Sequence, residues 1–359
     1  MANKVTIQDI ADALGISRNT VSKAINNTGI LADSTREKIL KKAAEMGYKQ
    51  FSYLSAADID QPKLFSTLPL KASEIALFTT IFWGKSYFIC TIVDTFQKEL
   101  ARFGYTLTMH RILEDEIEGL KLPHSFNREK TAGIICFELF DHDYGQMVCS
   151  LGFPVLFVDS PVSCISSPLN ADRLLPDNQS GICAFIAEMA RRNKKQIGFV
   201  GEHLHCQSFF ERYMGYQAAM LLSGLSPMRE YCILGNKQGV KNPDSTEYQE
   251  YLTEQLNSMS CLPQVFICAN DFVAIDFLQV LKKMKLSVPE DLYLCGFDDT
   301  SESRMVTPPL TTIHIHSKTM GICAANLLIS RIKQPSLHYR TVHVETSLLY
   351  RESTADTPD

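Results

Sequence analysis

The sequence has few of the features that mark membrane-bound or secreted proteins. It contains no run of about 18 apolar residues that could span a bilayer, and its N-terminus lacks the basic and then apolar pattern of a signal peptide. None of its 11 cysteines form a Cys-x-x-Cys pair, so no disulfide framework or zinc site is indicated. We therefore expect a cytoplasmic protein with no membrane partner and no metal or other cofactor.

Sequence patterns typical of enzymes are also missing. The chain has neither a Gly-rich phosphate loop nor a Gly-x-Ser-x-Gly elbow. Asp298 and Asp299 are adjacent acids, but neighbours on an extended chain point in opposite directions and make a poor acid–base pair. The His-x-His pairs at 203–205 and 314–316 have chelate spacing without the further ligands that a metal site needs. We expect no catalytic residues and no enzyme activity.

Proline is absent from the first 61 residues, which leaves room there for short uninterrupted helices. Thr6, with Asp9 three residues later, predicts a capping box at the start of the first helix. Gly15 ends that helix and Ser17 starts the second, a spacing typical of a helix-turn-helix motif. A second capping box, at Ser34, opens a third helix. The side chains predicted to face the small core are Ile7, Ile10, Ala11, Leu14, Val21, Ala24, Ile25, Ile39, Leu40, Ala43 and Met46.

The second helix presents a polar outer face. Its outward side chains are Arg18, Asn19, Thr20, Ser22 and Lys23. Arginine and lysine bind guanine in a major groove, asparagine binds adenine, and hydroxyls bind either. The alternative is an ordinary solvated face of a three-helix bundle. Charge favours DNA binding, because residues 1–50 carry a net charge of +3 and the remainder carries −8.

Residues 5–27, VTIQDIADALGISRNTVSKAINN, and 34–48, STREKILKKAAEMGY, resemble the headpiece of the lactose- and galactose-repressor (LacI/GalR) family of bacterial transcription regulators. The resemblance implies a helix-turn-helix headpiece over 1–50 and a homodimer on near-palindromic operator DNA. Arg18 and Asn19 correspond to positions that select the operator, and Thr6 and Thr35 to phosphate contacts at helix starts. The other family DNA-contacting positions are occupied by Ser17, Thr20, Ser22, Lys23 and Asn26.

The family's hinge helix is not reproduced. There the family places Pro-Asn-x-x-Ala-Arg-x-Leu, whose leucine wedges into the minor groove. Residues 50–57 read QFSYLSAA instead, without the proline, the asparagine or the arginine. Leu54 lies one turn early and is the candidate wedge. We expect residues 51–73 to form a hinge or linker.

From residue 74 to 359, apolar strand-like runs alternate with helix-length amphipathic segments. The predicted strands are 74–81, 105–112, 132–139, 154–159, 196–201, 231–235, 264–270 and 292–299. The predicted helices are 86–103, 179–192, 209–224 and 272–285, and the tail should add another helix and edge strands. The run LLPDNQSG (174–181) is expected to cross between lobes. This alternation predicts an α/β body of parallel, doubly wound sheets in two lobes, and the resemblance implies a periplasmic-binding-protein-like, effector-binding and dimerisation domain.

Polar side chains follow several predicted strands. Asp159, Asn270 and Asp298 end strands, and Arg212 lies on the helix after one. Ligands of open α/β sheets collect at the carboxyl ends of strands, and such a set suits the neighbouring hydroxyls of a sugar. The alternatives are loop caps for the acids and a structural ion pair for Arg212.

Three segments extend the family resemblance into the body. FFERYMGYQAAM resembles the segment whose arginine holds the effector, which implies that role for Arg212. ICANDFVAIDFLQVL and LCGFDDTSESRMVTPPLTTI likewise imply effector contacts from Asn270 and Asp298, while Asp159 matches a less specific position. Trp83, the only tryptophan, would suit stacking on a sugar ring or packing between lobes or subunits.

These expectations together describe a repressor controlled by a sugar or sugar derivative in the cleft between two lobes. One alternative is a repressor controlled by a protein partner. A solute-binding protein would share the body but not the basic headpiece, and a sugar-processing enzyme would need an acid–base pair.

Overall fold

The computed structural model describes residues 5–25, 33–46, 73–81, 87–236 and 245–356. The chain divides into two compact units, residues 1–70 and 71–359. The predicted limits of the headpiece at residue 50 and of the linker at 51–73 fall on residues outside the described part and stay predictions.

Three helices make up the described part of the first unit: α1 (Ile7–Leu14), α2 (Arg18–Ile25) and α3 (Asp33–Glu45). The predicted capping box is present at the start of α1. The Asp9 amide donates to Thr6 Oγ1 over 3.3 Å, and the Thr6 amide donates to Asp9 Oδ2 over 2.7 Å. Gly15 ends α1 in the left-handed region, at φ 65°, which glycine adopts without steric cost. The chain therefore turns tightly into α2, as the spacing predicted.

A small apolar core joins the three helices. Its buried members are Ile10, Ala11, Val21, Ala24, Ile39 and Ala43, with Val5, Ile7, Leu14, Ile16 and Met46 packed around them. The predictions for the side chains of Ile25, Ser34 and Leu40 lie outside the described ones. Because isolated helices shorter than about 12–15 residues are marginal in water, these helices depend on this shared core.

The described part of the second unit alternates strands and helices. The strands are β1 (Glu74–Thr79), β2 (Thr106–Arg111), β3 (Thr131–Phe137), β4 (Val155–Val158), β5 (Asp172–Pro176), β6 (Ile197–Val200), β7 (Val265–Cys268), β8 (Tyr293–Cys295), β9 (Thr312–Ile315), β10 (Thr341–Val344) and β11 (Thr346–Leu349). The helices are α4 (Tyr87–Ala101), α5 (Glu114–Glu118), α6 (His142–Ser150), α7 (Ser180–Arg191), α8 (Gln207–Leu222), α9 (Ser245–Ser258), α10 (Asp271–Lys283), α11 (Ser301–Met305) and α12 (Ser317–Lys333). Two 3-10 turns occupy Arg229–Tyr231 and Glu352–Thr354. Within the described ranges, none of the helices is both long and apolar enough to cross a bilayer.

Two parallel sheets define two lobes, as predicted. The first sheet has the order β2–β1–β3–β4–β5–β10 and the second the order β6–β7–β8, while β9 and β11 form a separate antiparallel pair. In β1, Ile75 and Leu77 are buried in one apolar cluster and Ala76 and Phe78 in another. Successive side chains of a strand point to opposite faces, so this sheet is covered on both faces. That explains why its strands are continuous apolar runs.

The sequence-based assignment was wrong at two strands. Residues 231–235 form no strand; Ile233 makes only an isolated bridge to Val200 after a 3-10 turn. Conversely, β5 overlaps the start of the run 174–181 that was expected to be a crossover. Its first residues, Asp172 and Arg173, are charged, so a reading based on apolar runs passes over it. Helix α9 was missed for a similar reason, since only Leu252 and Leu256 are buried in it.

Three chain segments pass between the lobes, after β5, β9 and β10. They are hydrogen-bonded to one another. The Asp177 amide donates to the Val344 carbonyl over 2.7 Å, and Thr346 Oγ1 donates to the Asp177 carbonyl over 3.0 Å. His316 Nε2 lies 2.9 Å from Ser347 Oγ. The crossings therefore form one connected strip, which is a suitable place for a hinge.

A buried ion-pair cluster ties the C-terminal elements to the first lobe. Asp172 is fully buried, and its carboxylate accepts hydrogen bonds from Arg331 Nη2 over 2.9 Å and from Arg340 Nη2 over 2.8 Å. The Arg340 amide also donates to it over 2.7 Å. Burial alone would raise the pKa of Asp172, but the hydrogen bonds from the two arginines outweigh it and the pKa is lowered. A charged Asp172 therefore joins β5, α12 and the approach to β10.

We expect Asp172→Asn to lower the free energy of unfolding by about 3–5 kcal/mol, because it leaves two partly buried guanidinium groups without their counter-charge. Urea unfolding measures this loss. The matched control is Asp94→Asn, which removes an exposed carboxylate 2.6 Å from Lys98 and should cost less than about 1 kcal/mol. Equal losses in the two variants would contradict the structural role of Asp172.

Candidate functional site

Helix α2 has a buried side and an exposed polar side. Val21 and Ala24 are buried, whereas Arg18, Asn19 and Lys23 are exposed. The three exposed side chains are among those predicted to meet DNA. The apolar side packs on the core, so the polar side is free to enter a groove without loss of packing.

The hydroxyl groups predicted to contact DNA have local partners as well. The Thr20 amide donates to Ser17 Oγ over 3.1 Å, and the two hydroxyl oxygens of Ser17 and Thr20 lie 2.7 Å apart. Ser17 therefore caps α2, which orients its N-terminal end. Thr6 is exposed, and Ser22 and Thr35 are half-buried. The predicted contacts at Asn26, Leu54 and Trp83 lie outside the described residues.

In the second unit, the four remaining predicted effector residues line one cleft. Asp159 and Arg212 face it together with Asn270 and Asp298. The cleft lies where β3 and β4 of the first lobe and β7 and β8 of the second reach their carboxyl ends. This is the place where open α/β sheets bind ligands. Polar or titratable lining residues that the sequence analysis did not assign to an effector are Glu138, His205, Cys206 and Ser208.

Arg212 is the most tightly held of the four. It is buried on α8, and its Nη1 donates to the Ala269 carbonyl over 2.6 Å while its Nε donates to Asn178 Oδ1 over 3.0 Å. Its guanidinium carbon lies 3.6 Å from the centroid of the Phe297 ring, where a planar cation is attracted to the aromatic face. These contacts leave Nη2 directed at Asp298, 3.4 Å from Oδ1.

Asp298 combines burial with an incomplete set of partners. Its side chain is 5% exposed, and its φ is 111°. No residue in the described part of the chain donates a hydrogen bond to its buried Oδ1. Burial raises the pKa of Asp298 to about 8, against the opposing effect of Arg212 and with smaller contributions from Asp271, Glu138 and Asp159. The carboxyl group is therefore prepared for a partner that the described residues do not supply.

Two further acids complete the cleft. Asp159 Oδ1 accepts hydrogen bonds from the amides of Ser160 and Ser208, over 2.8 and 3.1 Å, but burial still raises its pKa. Burial, together with the Asp159 carboxylate, raises the pKa of Glu138 to about 7. Glu138 and Asp159 have φ values of 51° and 60°, and such left-handed conformations of non-glycine residues cluster at functional sites. Glu138 was missed because it was counted within a strand; β3 ends at Phe137, and that position is the signal that would have found it.

Asn270 serves the fold as well as the cleft. Its Oδ1 accepts a hydrogen bond from the Val273 amide over 2.9 Å, which caps α10. An asparagine at this position stabilises a helix start. Its acceptor is therefore used internally, and its Nδ2 group remains to donate to a ligand.

The neighbouring aspartates have structural roles. Asp299 is hydrogen-bonded to Arg304, Arg351 and His314, and these arginines outweigh burial and lower its pKa. The adjacent Asp298 faces the cleft instead. The two carboxylates therefore act with different partners.

The histidine pairs have partners that explain them without a metal. His203 Nδ1 lies 3.1 Å from the Leu234 carbonyl oxygen, and the His205 ring packs edge-on against Phe140 at 5.0 Å. His314 contacts Asp299, and His316 contacts Ser347. Within the part of the chain that the structure describes, no group of three or more His, Cys, Asp or Glu side chains could hold a metal ion.

Comparisons with known proteins agree with both units. Residues 6–50 match "Bacterial regulatory proteins, lacI family", and residues 186–354 match "Periplasmic binding protein-like domain". The HTH-type transcriptional repressor PurR of Actinobacillus pleuropneumoniae serotype 3 (strain JL03) is 25% identical over 362 residues, which is 97% of this chain and 98% of the relative. PurR of Vibrio vulnificus (strain CMCP6) is 22% identical over 354 residues, 97% of this chain and 98% of the relative.

Solved structures show the same fold. The transcriptional regulator CelR–cellobiose complex superposes with a TM-score of 0.67 at 21% identity, over 98% of this chain and 100% of that one. The Lac repressor dimer bound to operator and the anti-inducer ONPF has a TM-score of 0.64 at 19% identity, over 99% of this chain and 100% of that one. The predicted fold, a helix-turn-helix headpiece with a two-lobed α/β body, is confirmed.

The raised pKa of Asp298 predicts that the stability of the folded state decreases as the pH rises. Its ordinary pKa is 3.8 and its folded pKa is about 8. Between those values the folded state holds a proton that the unfolded state has lost, so stability falls as the pH rises. We therefore expect the melting temperature of Asp298→Asn, relative to that of the natural protein, to increase as the pH is raised from 5 to 9. Thermal denaturation without ligand, at about one-unit pH steps, measures this difference.

The matched control is the neighbouring Asp299, whose pKa is shifted the other way. Its charged form stabilises the fold above the ordinary pKa, and this contribution is lost as the pH falls through the lowered one. Asp299→Asn should therefore be less stable throughout the same pH range. The assignment fails if Asp298→Asn follows the pH profile of Asp299→Asn.

Proposed function

We infer, from the match of residues 6–50 to "Bacterial regulatory proteins, lacI family" and from the repressors to which the whole chain is similar, that it is a transcriptional repressor with two binding sites. The headpiece would read operator DNA through α2. The cleft between the lobes would take a small effector that controls DNA binding. The observation that carries this function is the pairing of an exposed basic and amide face on α2 with a cleft lined by Arg212, Asp298 and Asn270.

The proposed DNA site rests on the residue types exposed on α2. Arg18 and Asn19 would contact base edges, while Lys23, Ser17, Thr20 and Ser22 would contact bases or phosphates. Thr6 and Thr35 would bind phosphates, and the same family role is proposed for Asn26. A net charge of +3 on residues 1–50 gives one headpiece only modest affinity, so we propose a homodimer that reads two half-sites.

The proposed effector site is supported by the incomplete bonding of Asp298 and by the amide that Asn270 has left to donate. The structurally similar regulator CelR was solved in complex with cellobiose. A sugar or a sugar derivative is therefore the ligand class proposed for Asp159, Arg212, Asn270 and Asp298. Trp83 would add an aromatic face for a sugar ring.

A chain of contacts leads from the cleft to the crossing segments. Arg212 donates to Asn178, which lies in the crossing between β5 and α7. Asn178 Nδ2 donates to Glu211 Oε2 over 2.8 Å, and Glu211 Oε2 lies 3.2 Å from His343 Nε2 on β10. A ligand that moved the Arg212 guanidinium would therefore disturb two of the three crossings. We propose that this is how the effector shifts the lobes between two states.

The remaining assignments follow from this role. A repressor acts in the cytoplasm, where the operator is, and binds its effector without turnover or a cofactor. Residues 1–50 would be the DNA-binding headpiece, 51–73 the hinge, and 74–359 the effector-binding and dimerisation domain. Leu54 would provide the minor-groove wedge in that hinge.

Selection from random oligonucleotides at moderate ionic strength tests the DNA site. We expect the full chain to enrich a near-palindromic sequence. Arg18→Ala should lose about 1–3 kcal/mol of discrimination at one base pair of each half-site, because one bidentate contact to guanine is worth that much. Gel-shift titrations on the selected operator and its single-base variants measure this loss.

Lys38→Ala is the matched control, because Lys38 is an exposed cation of the same headpiece on α3. It removes one positive charge, as Arg18→Ala does, and should weaken all sequences equally. Failure of the full chain to enrich any sequence would overturn the proposed function. If Arg18→Ala discriminates among the single-base operator variants as the natural protein does, the proposed role of Arg18 is wrong.

A thermal-shift screen of the full chain against a sugar library tests the cleft. A ligand at about a hundredfold excess over its Kd should stabilise the folded state by about 2.7 kcal/mol. Asp298→Ala should remove this shift and the effect of the ligand on operator binding, while operator affinity without ligand is retained. If Asp298→Ala responds fully to the ligand, the effector lies elsewhere.

A further inference from the structure

Among the described lining residues of the cleft, acidic side chains outnumber basic ones. Glu138, Asp159 and Asp298 line it, and Arg212 is the only lysine or arginine among the described lining residues. His205 adds no compensating charge, because burial lowers its pKa. Cys206 adds no further negative charge, because burial raises the pKa of its thiol well above the ordinary value. Among the described lining residues, three acids therefore share one guanidinium.

That guanidinium is already largely engaged. Two of its three nitrogens donate to the Ala269 carbonyl and to Asn178, and the third lies 3.4 Å from Asp298 Oδ1, beyond a short charge-assisted hydrogen bond. Asp159 has two amide donors from the protein. The carboxylate of Glu138 has no hydrogen bond or ion pair with a described residue, and Asp298 Oδ1 is buried without a hydrogen bond from one. The described cleft residues therefore lack the charged donors that the ionised forms of Asp298 and Glu138 would need.

We propose that the effector is a small cationic amine, whose protonated nitrogen binds between the carboxylates of Asp298 and Glu138. This inference rests on the proposed function and narrows its ligand class. A neutral sugar offers hydroxyl donors but no charge, so it would not oppose the burial that favours the protonated forms of Asp298 and Glu138. A protonated amine supplies both the charge and up to three donors.

The other residues that line the cleft indicate what kind of molecule carries the amino group. Ile89, Ile92, Phe140 and Phe209 give the cleft apolar walls, and aromatic faces attract a cation as well. Asn270 Nδ2 and Arg212 Nη2 can donate to hydroxyl oxygens. A hydroxylated carbon skeleton with one amino group, as in an amino sugar, fits both the apolar walls and these two donors.

Proton release gives the proposal a second signature. Without ligand, Asp298 and Glu138 have raised pKa values, and the charged groups around them are Asp159, Asp271 and Arg212. A bound cation would favour the charged carboxylates, so binding at pH 7 should release protons and strengthen as the pH rises towards the pKa of the amine. A neutral ligand has no charge with which to displace these protons.

The experiment compares amines with their neutral counterparts on the full chain. Glucosamine is paired with glucose and N-acetylglucosamine, galactosamine with galactose, and agmatine with 1,4-butanediol. We expect at least one amine to raise the melting temperature while its neutral partner does not. Calorimetry of that amine in buffers of different ionisation enthalpy should then show proton release at pH 7.

Glu138→Gln keeps the shape of the side chain and removes its charge. It should weaken the affinity for the amine at least about tenfold, because it removes one partner of a desolvated charge pair. Glu129→Gln is the control, since Glu129 is an exposed glutamate of the same lobe, and it should bind as the natural protein does. Unchanged affinity in Glu138→Gln would overturn the assignment of that residue.

The ligand class is overturned if neutral members of the pairs bind as well as the amines, or if none of the amines binds. The oligonucleotide selection separates this failure from failure of the proposed function. An operator-selecting protein without amine binding would remain a regulator with a different effector. A protein that selects no operator would not be a regulator, whatever binds in its cleft.

Discussion

The position of the Arg212 guanidinium is the constraint on which the body of this protein depends. The group is held by a carbonyl at the end of β7, by Asn178 in a crossing segment and by the face of Phe297. These contacts come from parts of the chain far apart in sequence. They bring the carboxyl ends of the second sheet, the crossing strip and the cleft into one arrangement. A buried cation with several fixed partners has a single favourable position, so the cleft has a defined geometry before any ligand binds.

The acids opposite Arg212 are held at a cost to stability. Glu138, Asp159 and Asp298 all have positive φ values and raised pKa values. A left-handed non-glycine residue costs on the order of 1–3 kcal/mol, and a carboxyl group without a full set of partners adds to this. Asp172 shows the contrast, because it is more deeply buried yet has two arginine partners and a lowered pKa. Glu138, Asp159 and Asp298 are therefore arranged for a ligand, whereas Asp172 stabilises the fold.

The headpiece depends on a different balance. Its helices are too short to be stable alone, and a shared core, with six buried side chains among the described residues, holds them. The exposed face of α2 contributes nothing to that core, so it can vary without loss of folding. This separation allows one fold to carry many DNA preferences, and it places the choice of operator on Arg18 and Asn19 in the proposed function.

Much of this protein could be predicted from local patterns. Capping at Thr6 and Gly15, the apolar period of α1 to α3 and the alternation of strands and helices follow from propensities and spacing, which act over a few residues. They predicted the headpiece and two parallel sheets. They also predicted that Asp159, Asn270 and Asp298 at strand ends, and Arg212 on the helix after a strand, line the cleft. Strand β5 and helix α9 escaped because their burial depends on distant partners rather than on their own apolar content.

The chemistry of the cleft was decided by the tertiary structure. Nothing in the spacing of Glu138, Asp159 and Asp298 shows that they face one another, because residues 21 and 139 positions apart along the chain meet only through the order of the sheets. Burial and mutual repulsion then set their charge, and both depend on three-dimensional distance. The sequence by itself determined which elements form and which side chains end them. Only the folded chain decided that, among the described lining residues, three acids share one arginine.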